Sequence, residues 1–490
     1  MIQIKKASIL ISLSLLIIFQ ACRPGEDILV SYEGGKIQRK NLRELYDIED
    51  APRNEKTLSV ATQTAILEQM GIQEIIEKEA NLIGFFERND IKDLMYYTEK
   101  EMIVNLYLKN FFQEKKDTES LEMLNIQFAL LYNNDDTAIE KIKSEISALK
   151  DNDKIEDYIS SITQEDGRKC IGGILEPQCN NCSAQDQITS LFKEGITKKD
   201  SNFYVIKDGN KAFIYRVFDR EKVKSKNLDE YLIKKFKNFR DKAITYTNKY
   251  NTEDDKQKAA YYLEESPRLE EKAKMTASHY LRGFQNRVIP EELIRLQTEK
   301  SFTINEEIKG GNLGLLDNPE TVVLSTPTES YTIKKLNEDF SRVFPSQKDT
   351  AGIPEKLNFL QNIMLPTKLI ADSSEGEKVR KSDTYKTAFA YMKRSIAFNI
   401  QKSESEKEIP EISESQIKEI YEAGKQFQFS EPSPKNPNER VPIPFDKVKD
   451  KIKSEIISKN AESVFQKKIL DLKTKYKMEI HVDKLKEGSI

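Results

Sequence analysis

Two stretches of this sequence, 294 residues apart, spell the same element twice. Leu29-Val30-Ser31 is matched by Val323-Leu324-Ser325, and Lys40, Leu42 and Glu44 by Lys334, Leu336 and Glu338. The same offset carries Met70 to Met364, Lys92 to Lys386, Tyr97 to Tyr391 and Asn105 to Asn399. So few identities could arise by chance. A single offset held through strand, turn and several helices could not do so easily, and it predicts one module built twice. In the first copy, Asp27 to Tyr32 reads as a strand, Gly34-Gly35 as a turn into Lys36-Ile37, and a helix begins near Lys40. Residues 57–115 continue as amphipathic helices; Ile66, Met70, Gln73 and Glu77 mark the turns of one, with Ile72, Ile75 and Ile76 on its apolar side.

Composition sets the class. A chain of 490 residues has room for about three domains. Only 18 Gly and 16 Pro argue against a sandwich or barrel built on many tight turns. The Lys/Glu/Leu/Ile-rich remainder predicts an α+β fold that is mostly helical. A net charge of −3 gives no basic footprint for nucleic acid. Two histidines exclude most His-based metal or triad chemistry, and neither a P-loop nor a Rossmann glycine fingerprint occurs. No metal or other cofactor is expected. The Lys/Glu runs at 447–453 and 467–477 read as solvated helix faces. The carboxylate pairs Asp135-Asp136 and Glu264-Glu265 read as turn or helix-end residues.

Residues 1–22 bear on compartment. Lys5 and Lys6 form a positive start, and Ile9 to Phe19 is an apolar run too short to span a bilayer. It ends Phe19-Gln20-Ala21-Cys22. This resembles a bacterial lipoprotein signal in the relaxed form of spirochetes. Residues 1–21 would then be the signal peptide and Cys22 the lipidated first residue of the mature chain. Membrane attachment would be through that lipid alone, in the cell envelope, on the periplasmic face of the outer membrane.

Between the copies, residues 120–222 carry a βααβ-like texture. Residues 223–320 are helical, with Leu228, Leu232, Phe236, Phe239, Ala243 and Tyr246 in one stripe. The second copy occupies 321–430. Ser413 and Gln416 suggest a capping box within it. A Pro-rich linker is expected at 431–445. The last segment, 446–490, opens with a long helix from Phe445 to about Tyr476 and closes with an alternating strand at Met478, Ile480 and Val482. Pairing of residues 478–482 with the strand at 322–326 is the contact that tests the repeat.

This order of elements is similar to the SurA/PrsA/PpiD class of extracytoplasmic chaperones, in which a strand-turn-helix module is followed by a parvulin domain and completed by a returning helix and strand. Residues 22–119 and 321–430 resemble its N-terminal module. Within 120–222, Leu124 to Tyr132 resembles the first parvulin strand and Ala138 to Leu149 and Ile155 to Ile162 its helices. Ile171-Gly172-Gly173-Ile174-Leu175 resembles the GG-x-L-G loop, although Glu176 stands in place of the closing Gly, and Ala212 to Val217 resembles the last strand. The resemblance places Phe128 and Phe213 where parvulins carry histidines, Asp166 at the Cys/Asp position, and Gln185 and Ile188 in the proline pocket. A second, poorer match pairs Ala277 to Leu281 with Gly310 to Gly314.

The resemblance thus implies a chaperone that holds unfolded envelope or outer-membrane clients without ATP, its parvulin domain lacking catalysis. Two other readings stand beside it: an active peptidyl-prolyl isomerase with Asp166, Phe128 and Phe213 as its remnant site, and a surface lipoprotein that binds a host or envelope partner. Cys170, Cys179 and Cys182 are disulfide candidates. The expected bridge runs from Cys170 to Cys179 or Cys182, leaving one thiol over. His279 reads as a partly exposed helix or strand residue and His481 as an outward-facing strand residue.

Overall fold

The computed structural model describes residues 27–48, 59–132, 135–164, 166–182, 192–198, 200–250, 252–263, 266–309, 318–326, 328–344, 347–433 and 439–485. The signal segment with Cys22, together with Gln185, Ile188 and Gly310 to Gly314, lies outside them, and so does the side chain of Asp166.

Along the chain, β1 (Ile28–Tyr32) and β2 (Gly35–Gln38) form a hairpin that runs into helix α1 (Arg39–Ile48). Helices α2 (Val60–Leu82) and α3 (Asn89–Thr118) follow. Next come β3 (Ser120–Leu131), α4 (Asp136–Ala148), α5 (Asn152–Ile162), α6 (Asp166–Lys169), β4 (Gln178–Cys179), α7 (Lys193–Lys198), β5 (Tyr204–Asp208) and β6 (Lys211–Lys224). Helices α8 (Leu228–Tyr250), α9 (Glu253–Ala259) and α10 (Ser266–Glu299) lead to β7 (Thr303–Ile304), α11 (Glu306–Lys309), β8 (Val322–Ser325) and β9 (Ser330–Thr332). The remainder is α12 (Ile333–Val343), α13 (Ile353–Phe359), α14 (Ser374–Arg380), α15 (Asp383–Glu404), α16 (Glu414–Gly424), β10 (Ser430–Pro432), β11 (Arg440–Pro442), α17 (Phe445–Lys475) and β12 (Glu479–Ile480). The fold is α+β and mostly helical, with small antiparallel sheets. No helix among the described residues is long and apolar enough to cross a membrane.

Local chemistry explains many boundaries. Asp135 and Asp151 cap α4 and α5 with side-chain oxygens, and Ser59 and Ser382 cap α2 and α15. The capping box is present: Ser413 accepts from the Gln416 amide while the Gln416 side chain accepts from the Ser413 amide.

The chain divides into two units, residues 105–333 and residues 1–104 with 334–490. The first holds a sheet of order β4-β3-β6-β5. Strand β3 alternates strictly. Leu124, Ile126, Phe128 and Leu130 join one apolar cluster, and Ala129 and Leu131 join another, under Ile139 and Ile146 of α4 and Ile155 and Ile159 of α5. Helices α8 and α10 enclose a further core through Leu232, Phe236, Ala277 and Phe284. Residues Ala277 to Leu281 therefore lie mid-helix, which overturns their match to a parvulin strand. In the second unit, Ile72, Ile76 and Ala80 of α2 pack with Met392 and Ile396 of α15 and Phe465 and Ile469 of α17. Residues expected as a bare Pro-rich linker instead form the hairpin β10–β11, with Val441 opposite Glu431. Its prolines fall at Pro432 and Pro442, the ends of a short two-stranded ribbon, where a missing N–H is tolerated.

The repeat is visible in backbone detail. Strand β8 begins 294 residues after β1, α12 the same distance after α1, and α15 the same distance after α3. Both hairpins shift register at the same place, between Ile28 and Val30 and between Val322 and Leu324. The Arg39 amide donates to the Asp27 carbonyl at 3.0 Å, and the equivalent Ile333 amide donates to Thr321 at 2.9 Å.

Each hairpin is completed by a third strand, but not as expected. Strand β12 pairs with β1, Ile480 opposite Val30 and Glu479 opposite Ser31. The edge at 322–325 is filled by β7, Ile304 opposite Leu324 and Thr303 opposite Ser325. Each hairpin is thus closed by the segment that follows the other hairpin along the chain. Val482 lies beyond the strand, in a 3₁₀ turn over Val482–Lys484, and is partly exposed.

Candidate functional site

Strand register puts Phe128 and Phe213 on one face of the sheet, since Leu130 is opposite Phe213 and Phe128 opposite Tyr215. Their ring centroids are 5.9 Å apart. Around them stand Leu175, Phe192, Tyr204 and Tyr215, so the face is an aromatic core rather than an open cleft. Burial raises the Tyr215 hydroxyl, which accepts from the Gly195 amide at 3.2 Å.

The glycine pair is placed against this strand. Gly172 and Gly173 have φ of 66° and 70°, and a Cβ on Gly173 would lie 2.3 Å from the Phe128 carbonyl. Only glycine meets both demands. The Phe128 amide donates to the Gly173 carbonyl at 2.9 Å, and Gln127 Nε2 donates to the Gly172 carbonyl at 2.8 Å.

The residues that hold this loop could not be found from the sequence. Arg168 pairs with Glu176 at 2.9 Å and stands over the Phe128 ring at 5.9 Å. Tyr262, far along the chain on the loop after α9, donates to the other Glu176 oxygen at 2.8 Å. Burial works against the Glu176 carboxylate, but Arg168 outweighs it and holds the group below its ordinary range. The Glu that departs from the loop pattern thus has a structural task. The only signal was that departure itself. Arg216 is buried between the Phe203 and Phe218 rings, and donates to Gln127 Oε1 at 2.9 Å and to Asn152 Oδ1 at 3.0 Å. Burial lowers its pKa.

The disulfide joins Cys179 to Cys182, with Cα atoms 5.6 Å apart, and Cys170 lies outside the bridge. This corrects the expected bridge from Cys170. Strand β4 carries Cys179 to the edge of β3, where both bridged sulfurs join the core with Leu121 and Phe284. Cys170 instead packs with Ile171, Phe239 and Tyr262. Gly283 on α10 makes room for the bridge, since a Cβ there would lie 3.2 Å from the Cys182 carbonyl. Burial pushes the Cys170 thiol up to about 11, so it is a poor nucleophile.

Beside the loop lies a groove of about 410 Å³ between α5 and the second half of α8, lined by Asp153, Glu156, Cys170, Lys242, Tyr246 and Tyr250 among others. Lys242 pairs with Glu156, and Lys249 with Asp157 at 3.1 Å, across this groove. Of the two histidines, His279 is exposed on α10. His481 is partly buried just after β12, its Nε2 3.1 Å from Ser31 Oγ.

A family model matches the chain over residues 1–490; the family is Leptospira-like, with no activity in its description. No curated protein and no solved structure matches the chain.

Proposed function

The chain belongs to this Leptospira-like family over its whole length, and we propose that it is a lipid-anchored, ATP-independent chaperone of the cell envelope that holds unfolded polypeptides. On this reading residues 120–222 are a parvulin-like scaffold without isomerase chemistry, flanked by two SurA-type modules. One observation carries the reading. Phe128 and Phe213 pack against each other, under Phe192 and Tyr215, at the two positions where the resemblance calls for histidines. Prolyl isomerisation needs an open apolar pocket that desolvates the substrate amide, and this face is occupied by the protein's own rings. What remains of the comparison with the chaperone class is holding.

Large apolar side chains left in water support the same reading. Phe427 is 79% exposed, Leu82 71% and Ile83 70%. Phe427 sits on a pinned backbone, its carbonyl accepting from Ser430 Oγ at 3.0 Å and from Arg440 at 3.2 Å. A fixed, exposed ring suits reversible apolar contact with many sequences. The purified protein should suppress aggregation of a chemically unfolded client without nucleotide, and a Leu82→Ser/Ile83→Ser/Phe427→Ser variant should lose most of that effect while keeping its circular dichroism. No suppression by the wild type would refute the proposal. A protease-coupled proline-peptide assay decides the isomerase alternative: turnover lost in Asp166→Ala would replace holding by catalysis.

A further inference from the structure

The two closing segments are the same device written in different sequences. After α10, Ser301 takes φ of 54°, and after α17, Lys477 takes φ of 50°; these are the only non-glycine residues with positive φ among the described residues. In both places the same pair of bonds ends the helix: Phe302 to Gln297 and Ser301 to Thr298, then Met478 to Lys473 and Lys477 to Thr474, at 2.9 and 3.2 Å in each case. This is the Schellman arrangement, normally built on glycine. The chain then lays two residues along a hairpin edge in one register, and the next amide donates to the equivalent carbonyl, Asn305 to Val323 at 3.1 Å and His481 to Leu29 at 2.9 Å. The edge therefore reads backbone, plus an Ile opposite the same position of the hairpin. It accepts Phe-Thr-Ile in one case and Met-Glu-Ile in the other.

The edge of β1 is filled by β12 from the far end of the chain, whereas that of β8 is filled by β7 from just upstream. Completion of the β1 edge from a distant part of the chain shows that this edge does not need a neighbouring strand. We propose that the hairpin edges at 28–32 and 322–325 are interchangeable strand-addition sites, and that a second copy of this chain can supply the closing segment 477–482 in trans to give a strand-exchanged dimer. Main-chain bonds along a sheet edge give such contacts their affinity and the alternate side chain their register, and exchange of an identical element between protomers is a low-cost route to a dimer.

Two full-length variants test this. Ile480→Asp places a charge where Ile480 packs beside Leu29 and Leu67, and so disables the closing strand but not the edge. Gly71→Leu disables the edge at β1 but not the strand, because any Cβ at Gly71 would come within 2.4 Å of Met478 and 3.3 Å of Val30. The two variants, mixed at about 50 μM with different affinity tags, should co-purify as a heterodimer on size exclusion with light scattering, while neither forms a stable dimer alone. Should either variant fold poorly, a labelled peptide of residues 476–485 should bind the Ile480→Asp chain saturably, and an unlabelled peptide of residues 299–306 should displace it. Absence of both the heterodimer and peptide binding overturns the proposal. So does peptide binding that the 299–306 peptide fails to displace, because the two segments would then not be equivalent.

Discussion

The two modules agree where backbone bonds set the structure and part company where single side chains do. Their hairpins share start, register shift and closing register. The helices that follow do not match. Helix α2 is a regular α-helix from Val60 to Leu82. Its counterpart begins as α13 and continues as two π-helical turns, Leu360–Met364 and Thr367–Ala371, on either side of Pro366. The residue of the first copy at the position of Pro366 is Ile72. Proline has no amide hydrogen, and its ring collides with the carbonyl four residues back. Widening the turns on both sides, as in the bond from the Asp372 amide to the Thr367 carbonyl at 3.0 Å, accommodates it. One residue thus changes the helix, while the hairpin tolerates almost complete replacement of its sequence.

The comparison breaks most violently if proline is moved to the other copy. Ile72→Pro should cost about 3 kcal/mol or more from the backbone alone, before the loss of the buried Ile72 side chain from the core shared with Ile396. Urea unfolding followed by circular dichroism measures it. A cost below about 1 kcal/mol would mean that α2 can adopt π turns as readily as its counterpart. Next in size is the shared anchor of the core: Phe465→Ala removes a fully buried ring and should cost about 3 kcal/mol. The reverse exchange is small. Pro366→Ala should change stability by less than about 1 kcal/mol, because the widened turns and the packing of Leu369 and Ile370 persist without the ring. Hydrogen exchange at residues 362–372 would show whether they do.

The sequence carried the hairpins well, because glycine turns and alternating apolar residues are local signals. It also carried the βααβ texture, whose helix caps are Asp and whose strand β3 sends Leu124, Ile126, Phe128 and Leu130 into one cluster. Three features had no local signal. The choice of closing strand is invisible because Ile304 and Ile480 stand opposite equivalent hairpin positions, Leu324 and Val30. The cysteine pairing has no local signal because Cys170 and Cys179 are close in sequence but join different cores. The network of Arg168, Glu176 and Tyr262 joins residues whose spacing follows no motif. The candidate site was therefore legible in outline, as Phe128, Phe213 and the glycine loop, but not in what holds the loop.

The modules also anchor their helices with opposite charge patterns, which gives a further comparison to sharpen. Arg394 of α15 reaches Glu74 at 2.8 Å and Glu77 at 3.1 Å on α2, one cation between two carboxylates. Arg394→Met leaves both carboxylates half-buried without that partner and should cost about 1 to 2 kcal/mol, less than a fully buried pair. The equivalent residue on α3 is Lys100, which touches Asp372, itself shared with Lys368 at 3.1 Å. Glu176 adds a third case in the sheet domain. Its carboxyl is held below the ordinary range by Arg168 against the effect of burial, so its contribution is present above about pH 4.5 and lost as pH falls through the folded value. Glu176→Gln should therefore lose its deficit relative to wild type at pH 3, with a difference of about 1 kcal/mol at pH 7.

Lys100 should give the smallest effect and the opposite sign. Burial pushes its ammonium down to about 8; Lys368 and Arg380 push the same way and Glu99 opposes them. The unfolded chain, with an ordinary lysine near 10.4, binds more protons than the folded one between about pH 8 and pH 10. Unfolding free energy must then rise with pH across that window. Below pH 8 the charged, partly buried ammonium is a standing cost. The wild type should therefore gain on Lys100→Met between pH 8 and pH 10, by about half a kcal/mol once solvent screening of a partly exposed group is allowed for. Urea titrations of both proteins at pH 7.5 and pH 9.5 measure the difference. If the gap stays flat or closes, Asp372 stabilises the charged lysine as Glu74 and Glu77 stabilise Arg394, and the two modules anchor their helices in the same way.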